Sequence, residues 1–259
     1  MMVWALIATL VGLAVPARCL AEARDAETVA APTTAPRQIG LRLSVGFGVG
    51  TRAFVMPTPQ GVQELSDSAF PAAEFGGALR LWPQQRLGCD VLLAYQTSLA
   101  WRLEQQPLFG LPETIAARSQ RVELSVAPRV RLGDARTAPS LAFPVGLGLR
   151  SFWPRPKQFP VHDYLLGGPQ LRVEFECTLA RYLRLRLGPE LQWLPMTGGV
   201  VASGPGGWAL GGEASLEANF DGPLRVVIAY RETRARVATG TFAFEDTERF
   251  ITARLNGEL

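Results

Sequence analysis

The chain has 259 residues, 47% of them hydrophobic, and a net charge of +3, which is room for one large all-β domain or two small ones. Beyond the N-terminus no apolar run reaches the ~18 residues of a membrane-spanning helix, which excludes a helical membrane protein. The charge is carried almost entirely by arginine, Lys157 being the only lysine, and no basic run interleaves with aromatics, which excludes a nucleic-acid partner.

Val3 to Val15 form an apolar block the length of a signal h-region, and Ala21-Glu22-Ala23 has the small-x-small form of a cleavage site. No positive side chain precedes the block, yet the segment is too short to span a bilayer, so residues 1–23 read as an export signal. Cys19 follows the bulky, charged Arg18 and does not fit a lipid-anchored cysteine. Removal of the signal leaves Cys89 and Cys177, which fall on strands that are not neighbours, so no disulfide is expected. With no C-x-x-C and no His/Cys cluster, neither metal nor cofactor is expected. Residues 24–38, rich in Ala, Thr and Pro, read as a flexible linker.

From Ile39 onward the period is two. In Leu41-Arg42-Leu43-Ser44-Val45-Gly46-Phe47-Gly48-Val49-Gly50 every odd residue is apolar and every even one polar or glycine, which makes a strand with one greasy face. The pattern predicts strands near 39–50, 72–82, 87–99, 120–132, 140–152, 164–177, 182–193, 207–220, 223–232 and 247–259. Most are longer than the usual globular strand and suit a tilted crossing of a bilayer. Connections alternate: short at 83–86, 133–137, 178–181 and 221–222, long at roughly 51–71, 100–119, 153–163, 194–206 and 233–246. Asp221-Gly222 is a tight-turn signal. That rhythm predicts ten antiparallel strands with both ends of the chain on the short-turn side. Trp101, Trp153, Trp193 and Trp208 fall at the long-loop ends, while Trp82, Tyr182 and Phe220 fall at the short-turn ends. Together with Tyr230 they are candidates for an aromatic girdle at the membrane–water boundary.

In these features residues 39–259 resemble small bacterial outer-membrane β-barrel proteins as a broad class. The resemblance implies an all-β, ten-stranded antiparallel up-and-down transmembrane barrel, seated in outer-membrane lipid and inserted by the barrel-assembly machinery. Such chains commonly end on an aromatic residue; here Ile251, Ala253 and Leu255 alternate toward a terminal leucine, Leu259.

Alternation alone does not say which face is inside; the second face does. It is rich in small residues (Gly46, Gly48, Gly50, Gly76, Ala78, Gly146, Gly148, Gly188, Gly211), as the crowded concave side of a narrow barrel requires. It also carries Arg42, Arg80, Arg121, Arg129, Arg131, Arg150, Arg172, Arg184, Arg186, Arg225, Arg231 and Arg254 against Asp90, Glu123, Glu174, Glu176, Glu190, Glu213 and Glu217. These are the candidate lumen-lining residues, with positive charge in excess. One register of the sixth and seventh strands sets Glu176 opposite Arg184 and Glu174 opposite Arg186.

Little here suggests catalysis. His162 is the only histidine, and its neighbour Asp163 would point to the opposite strand face, away from the ring it would have to orient. No G-x-S-x-G accompanies it. Glu174 and Glu176 share a face, but nearby arginines would keep both ionised. Gly198-Gly199 and Gly204-Pro205-Gly206-Gly207 are not phosphate loops, because no helix follows. The expectation is a non-enzymatic outer-membrane barrel with a narrow charged lumen that stabilises the envelope, presents loops or passes small solutes. Two alternatives stay open: an outer-membrane enzyme acting on lipid or peptide, and a secreted soluble barrel enclosing an apolar ligand.

Overall fold

A computed structural model describes residues 39–58, 61–82, 86–99, 102–105, 113–135, 137–155, 163–199, 206–220, 223–239 and 242–259. The signal, the linker, Trp101, His162 and the turn at 221–222 lie outside the described residues. Fourteen segments follow one another: β1 (Ile39–Thr58), β2 (Gly61–Leu81), β3 (Leu87–Ser98), β4 (Arg102–Gln105), β5 (Glu113–Arg131), β6 (Ser140–Ala142), β7 (Val145–Arg155), β8 (Tyr164–Arg172), β9 (Glu174–Ala180), β10 (Leu183–Leu194), β11 (Met196–Gly199), β12 (Gly206–Asn219), β13 (Leu224–Thr239) and β14 (Phe242–Glu258).

They build ten staves, because β3 and β4 share β5 as partner, β6 runs on into β7, β8 into β9, and β10 into β11. Every pairing is antiparallel, and β1 against β14 closes the ring from Arg42↔Glu258 to Val55↔Glu245. The chain is therefore a closed ten-stranded antiparallel barrel. Closure leaves no unpaired edge, the condition a sheet must meet to sit in hydrocarbon.

The long connections are shorter than expected. β1 runs to Thr58 and β2 starts at Gly61, β5 starts at Glu113, β13 runs to Thr239 and β14 starts at Phe242. Much of 51–71, 113–119 and 233–246, expected as loop, is strand. The physical reason is a reversal of the two faces. Along the lower part of β13, Leu224, Val226 and Ile228 point outward and are exposed, while Arg225 and Arg231 reach into the lumen. From Glu232 onward the pattern flips: Ala235 and Val237 are buried inside and Arg236 stands outside. β14 flips at the same height, from exposed Ile251 and Leu255 with Arg254 inside, to buried Phe244 and Phe250 with Arg249 and Glu245 outside. The period of two never breaks, but the apolar face changes sides. Sequence patterning that follows one apolar face stops there.

Two other expectations are corrected. The fifth and sixth strands are interrupted, at residues 143–144 and at Val173. The hairpin of β9 and β10 pairs Arg186 with Glu176 and Arg184 with Thr178, two residues away from the expected register, with a bulge next to Leu183. The bulge takes up an extra residue near the turn, which no face pattern records.

Candidate functional site

The lumen holds side chains in two chemically distinct layers. The layer toward the short turns is an ion-pair lattice of two networks, one at the mouth and one deeper in. Asp90 receives Arg80 at 3.1 Å and Arg129 at 3.0 Å. Arg129 also reaches Glu176 at 3.2 Å, and Arg186 joins Glu176 at 3.2 Å. Glu217 lies 2.9 Å from Arg225, which also pairs with Glu258. Deeper in, Arg172 bridges Glu190 at 2.8 Å, Glu123 at 3.1 Å and Glu174 at 3.3 Å. Arg121 links Glu123 with Glu190, Arg231 reaches Glu213 at 2.9 Å, and Arg254 bridges Glu213 and Glu74. Arg150, directly opposite Arg121 in register, reaches Glu190 at 3.5 Å. Asp90, Glu123, Glu176, Glu190, Glu213 and Glu217 are each shared between two or more guanidinium groups, so few charges are left alone in a confined space where an unpaired one would be costly.

All the predicted lumen-lining residues lie on this inner face, Arg131 included, although its guanidinium sits at the rim, 4.4 Å over the Trp82 ring. The lattice also contains Glu74 and Glu258, and the upper layer contains Asp246. These extra carboxylates reduce the positive excess read from the sequence. Glu74 lies inside the predicted 72–82 strand, on the same face as Gly76, Ala78 and Arg80, so the alternation could have found it.

The upper layer is apolar. Phe54, Phe70, Phe152, Tyr164, Leu166, Leu194, Val237, Phe244 and Phe250 are all buried in one cluster. Phe54 meets Phe152 at 4.9 Å between ring centres, Tyr164 meets Phe244 at 5.4 Å, and Phe70 meets Phe250 at 5.9 Å. Gly50 makes room: a Cβ there would lie 2.4 Å from the Phe250 ring and 2.7 Å from that of Phe70. Within this cluster sits one ion pair, both partners 2% exposed: Arg52 donates through Nε and Nη2 to the two Asp246 oxygens at 2.9 and 2.6 Å. Arg52 also donates to Ser119 at 2.7 Å and to the Tyr164 hydroxyl, which itself donates to Asp246 at 2.6 Å. The guanidinium lies 4.8 Å from the Phe54 ring centre and 5.3 Å from that of Phe152. Arg52 and Asp246 both fall in segments read from sequence as loops. The signal that could have placed them is the inverted alternation on either side of each.

The outer face carries the apolar belt, from Leu43, Phe47 and Val49 around to Ile228 and Ile251. Of the girdle candidates, Trp153, Trp193, Trp208 and Tyr182 are exposed, and Trp193 and Trp208 face each other across β10 and β12. The Tyr230 hydroxyl donates to Glu232 at 3.0 Å, where the belt gives way to charge. Trp82 differs: it packs against Gly88 and beneath Arg131 at the barrel mouth. At the short turns, Arg86 donates two bonds of 2.6 Å to Asp134, holding that carboxyl below the usual carboxylate range.

No known protein family matches the chain, and no curated protein sequence is similar to it. Solved structures are similar. The outer membrane protease OmpT from Escherichia coli superposes with a TM-score of 0.54 at 12% identity, over 89% of this chain and 99% of that one. The translocator domain of the autotransporter NalP from Neisseria meningitidis gives 0.44 at 7% identity, over 95% and 96%. The outer membrane protein OprG from Pseudomonas aeruginosa gives 0.35 at 9% identity, over 84% and 95%. The closed barrel and the OmpT likeness define the class: an all-β barrel with the fold of bacterial outer-membrane β-barrel proteins. The likeness is one of fold alone.

Proposed function

We propose that this chain is a sealed barrel of a bacterial outer membrane: a non-enzymatic element of the envelope that holds a rigid, charged rim above the lipid. The observation that carries this reading is the upper layer of the lumen, where the Phe54–Phe152–Tyr164–Phe244 cluster and the Arg52–Asp246 pair occupy the bore. A solute path needs a continuous wet column, and an aromatic cluster at side-chain contact has none. The outward apolar belt is the surface for outer-membrane lipid, with Trp153, Trp193, Trp208 and Tyr182 as its interfacial anchors. The barrel-assembly machinery inserts it. Above the belt the outer surface carries Glu232, Arg236, Glu245 and Arg249, suited to water or to polar partners.

Planar-bilayer recording tests the seal. The wild-type protein is to show no conductance above background, whereas Phe54→Ala combined with Phe244→Ala is to leak. Steady channels from wild type would refute the seal and restore the solute-passing reading. Cell fractionation and heat-modifiable gel mobility test the location, and a soluble periplasmic pool would refute it. Cleavage of peptides or lipids by the wild type, abolished by His162→Ala, would overturn the non-enzymatic reading.

A further inference from the structure

The short-turn mouth of the barrel holds more arginine than its carboxylates use. Arg42, Arg80, Arg129, Arg184, Arg186 and Arg225 gather around Asp90, Glu176, Glu217 and Glu258. Two of them are poorly served: Arg42 comes no nearer than 3.6 Å to Glu217, and Arg184 no nearer than 3.6 Å to Glu176 and 4.0 Å to Glu217. Those distances are too long for hydrogen bonds, and neither side chain makes one among the described residues. Buried Nε atoms of Arg186 and Arg225 also lack an acceptor. Arg42, Arg80, Arg129, Arg184 and Arg186 are among the eight arginines that, with seven carboxylates, line one cavity of ≈ 130 Å³. Arg184 and Arg186 are about 30% exposed (30% and 29%), so the cavity communicates with water at the mouth.

Guanidinium groups with unused N–H donors, converging on a small cavity open at one end, supply the donors that an oxyanion takes. From this geometry we infer that the short-turn chamber binds one small tetrahedral oxyanion of the phosphate or sulfate type, held by Arg42, Arg184 and Arg186. A planar guanidinium fork matches an edge of a tetrahedral anion bidentately, which an ammonium does not do, and several forks together cover more than one edge. Asp90 is taken by Arg80 and Arg129, Glu176 by Arg129 and one nitrogen of Arg186, and Glu217 by Arg225, so an added anion completes the lattice on its positive side. The cavity volume admits an ion or the tip of a larger phosphorylated solute, not a folded chain. The site stands apart from the aromatic seal and does not depend on it.

The test is calorimetric titration of the full protein, folded in neutral detergent at constant ionic strength, with sodium phosphate, sodium sulfate and sodium chloride. Phosphate and sulfate are to give one saturable, mutually competitive site, and chloride no saturation in the same range. Arg184→Gln and Arg42→Gln are each to weaken binding about tenfold or more, the scale of a hydrogen bond to a charged group. Arg234→Gln, on the upper part of β13, is to leave it unchanged. Phosphate binding tighter than glycerol phosphate marks the free ion as the ligand, and the reverse marks a phosphorylated solute; both support the site. Absence of saturable heat overturns the inference, as does equal affinity in the Arg184→Gln protein. Heat-modifiable mobility verifies folding, and Arg184, being the more exposed, decides the case if Arg42→Gln does not fold.

Discussion

Replacing Arg52 with alanine removes the cation from the middle of the upper seal. Its two bonds to Asp246, at 2.9 and 2.6 Å between side chains 2% exposed, disappear together with the bond to Ser119. Asp246 is left in an aromatic cluster with the Tyr164 hydroxyl as its remaining donor among the described residues. Breaking one side of a buried, hydrogen-bonded ion pair costs about 3–5 kcal/mol. Loss of the contacts to the Phe54 and Phe152 rings adds about 2 kcal/mol, the scale for a desolvated cation. The expected destabilisation is about 5–7 kcal/mol. Removing both charges by Arg52→Met with Asp246→Leu leaves no stranded carboxylate and is to cost less than the single change. Guanidinium unfolding in lipid vesicles, followed by tryptophan fluorescence and gel mobility, measures both. A single-variant loss below about 1 kcal/mol, or a double variant at least as unstable as the two singles summed, would refute the reasoning.

The reversal of faces predicts opposite outcomes on one strand. Ala253→Arg, outward within the belt of β14, is to cost about 2–4 kcal/mol in vesicle unfolding, whereas Thr247→Arg, outward above it, is to cost close to nothing. Equal costs would mean that the belt does not end between them. Phe152→Ala, which empties part of the seal, is to cost about 3–5 kcal/mol by the same assay. At the short turns, NMR titration of Asp134 in detergent is to show a pKa below the ordinary aspartate value, returning to it in Arg86→Ala. Because the folded value is the lower one, the pair's stabilisation is present above the unfolded aspartate pKa and is lost as pH falls through the folded one. Being exposed, the pair is to leave neutral-pH stability almost unchanged.

The belt and the lattice were legible in the chain because each stave there keeps one apolar and one charged face. Leu224, Val226 and Ile228 alternate with Arg225 in plain view, and so does Leu43 with Arg42 and Ser44. The seal was not legible as such. Thr51-Arg52-Ala53-Phe54 has no apolar stripe continuous with Val45, Phe47 and Val49, so it reads as loop. It is strand because Arg52 pairs in register with Glu248, and because Phe54 has a buried interior to enter. The register of β9 and β10 escaped for a simpler reason: a bulge shifts pairing without changing which residues share a face.

By itself, the sequence determined the period of two, the number of staves, the greasy outer belt and the charged inner face, since all of these follow from which side chains alternate with which. Partners were decided only by tertiary closure. Arg52 and Asp246 are 194 positions apart, and they meet because the first stave must lie against the last for the ring to have no edge. The same closure puts Arg172 among Glu123, Glu174 and Glu190, and phenylalanines from four staves into one bore. A row of alternating residues states what each face wants. The shear and closure of the barrel state what each face receives.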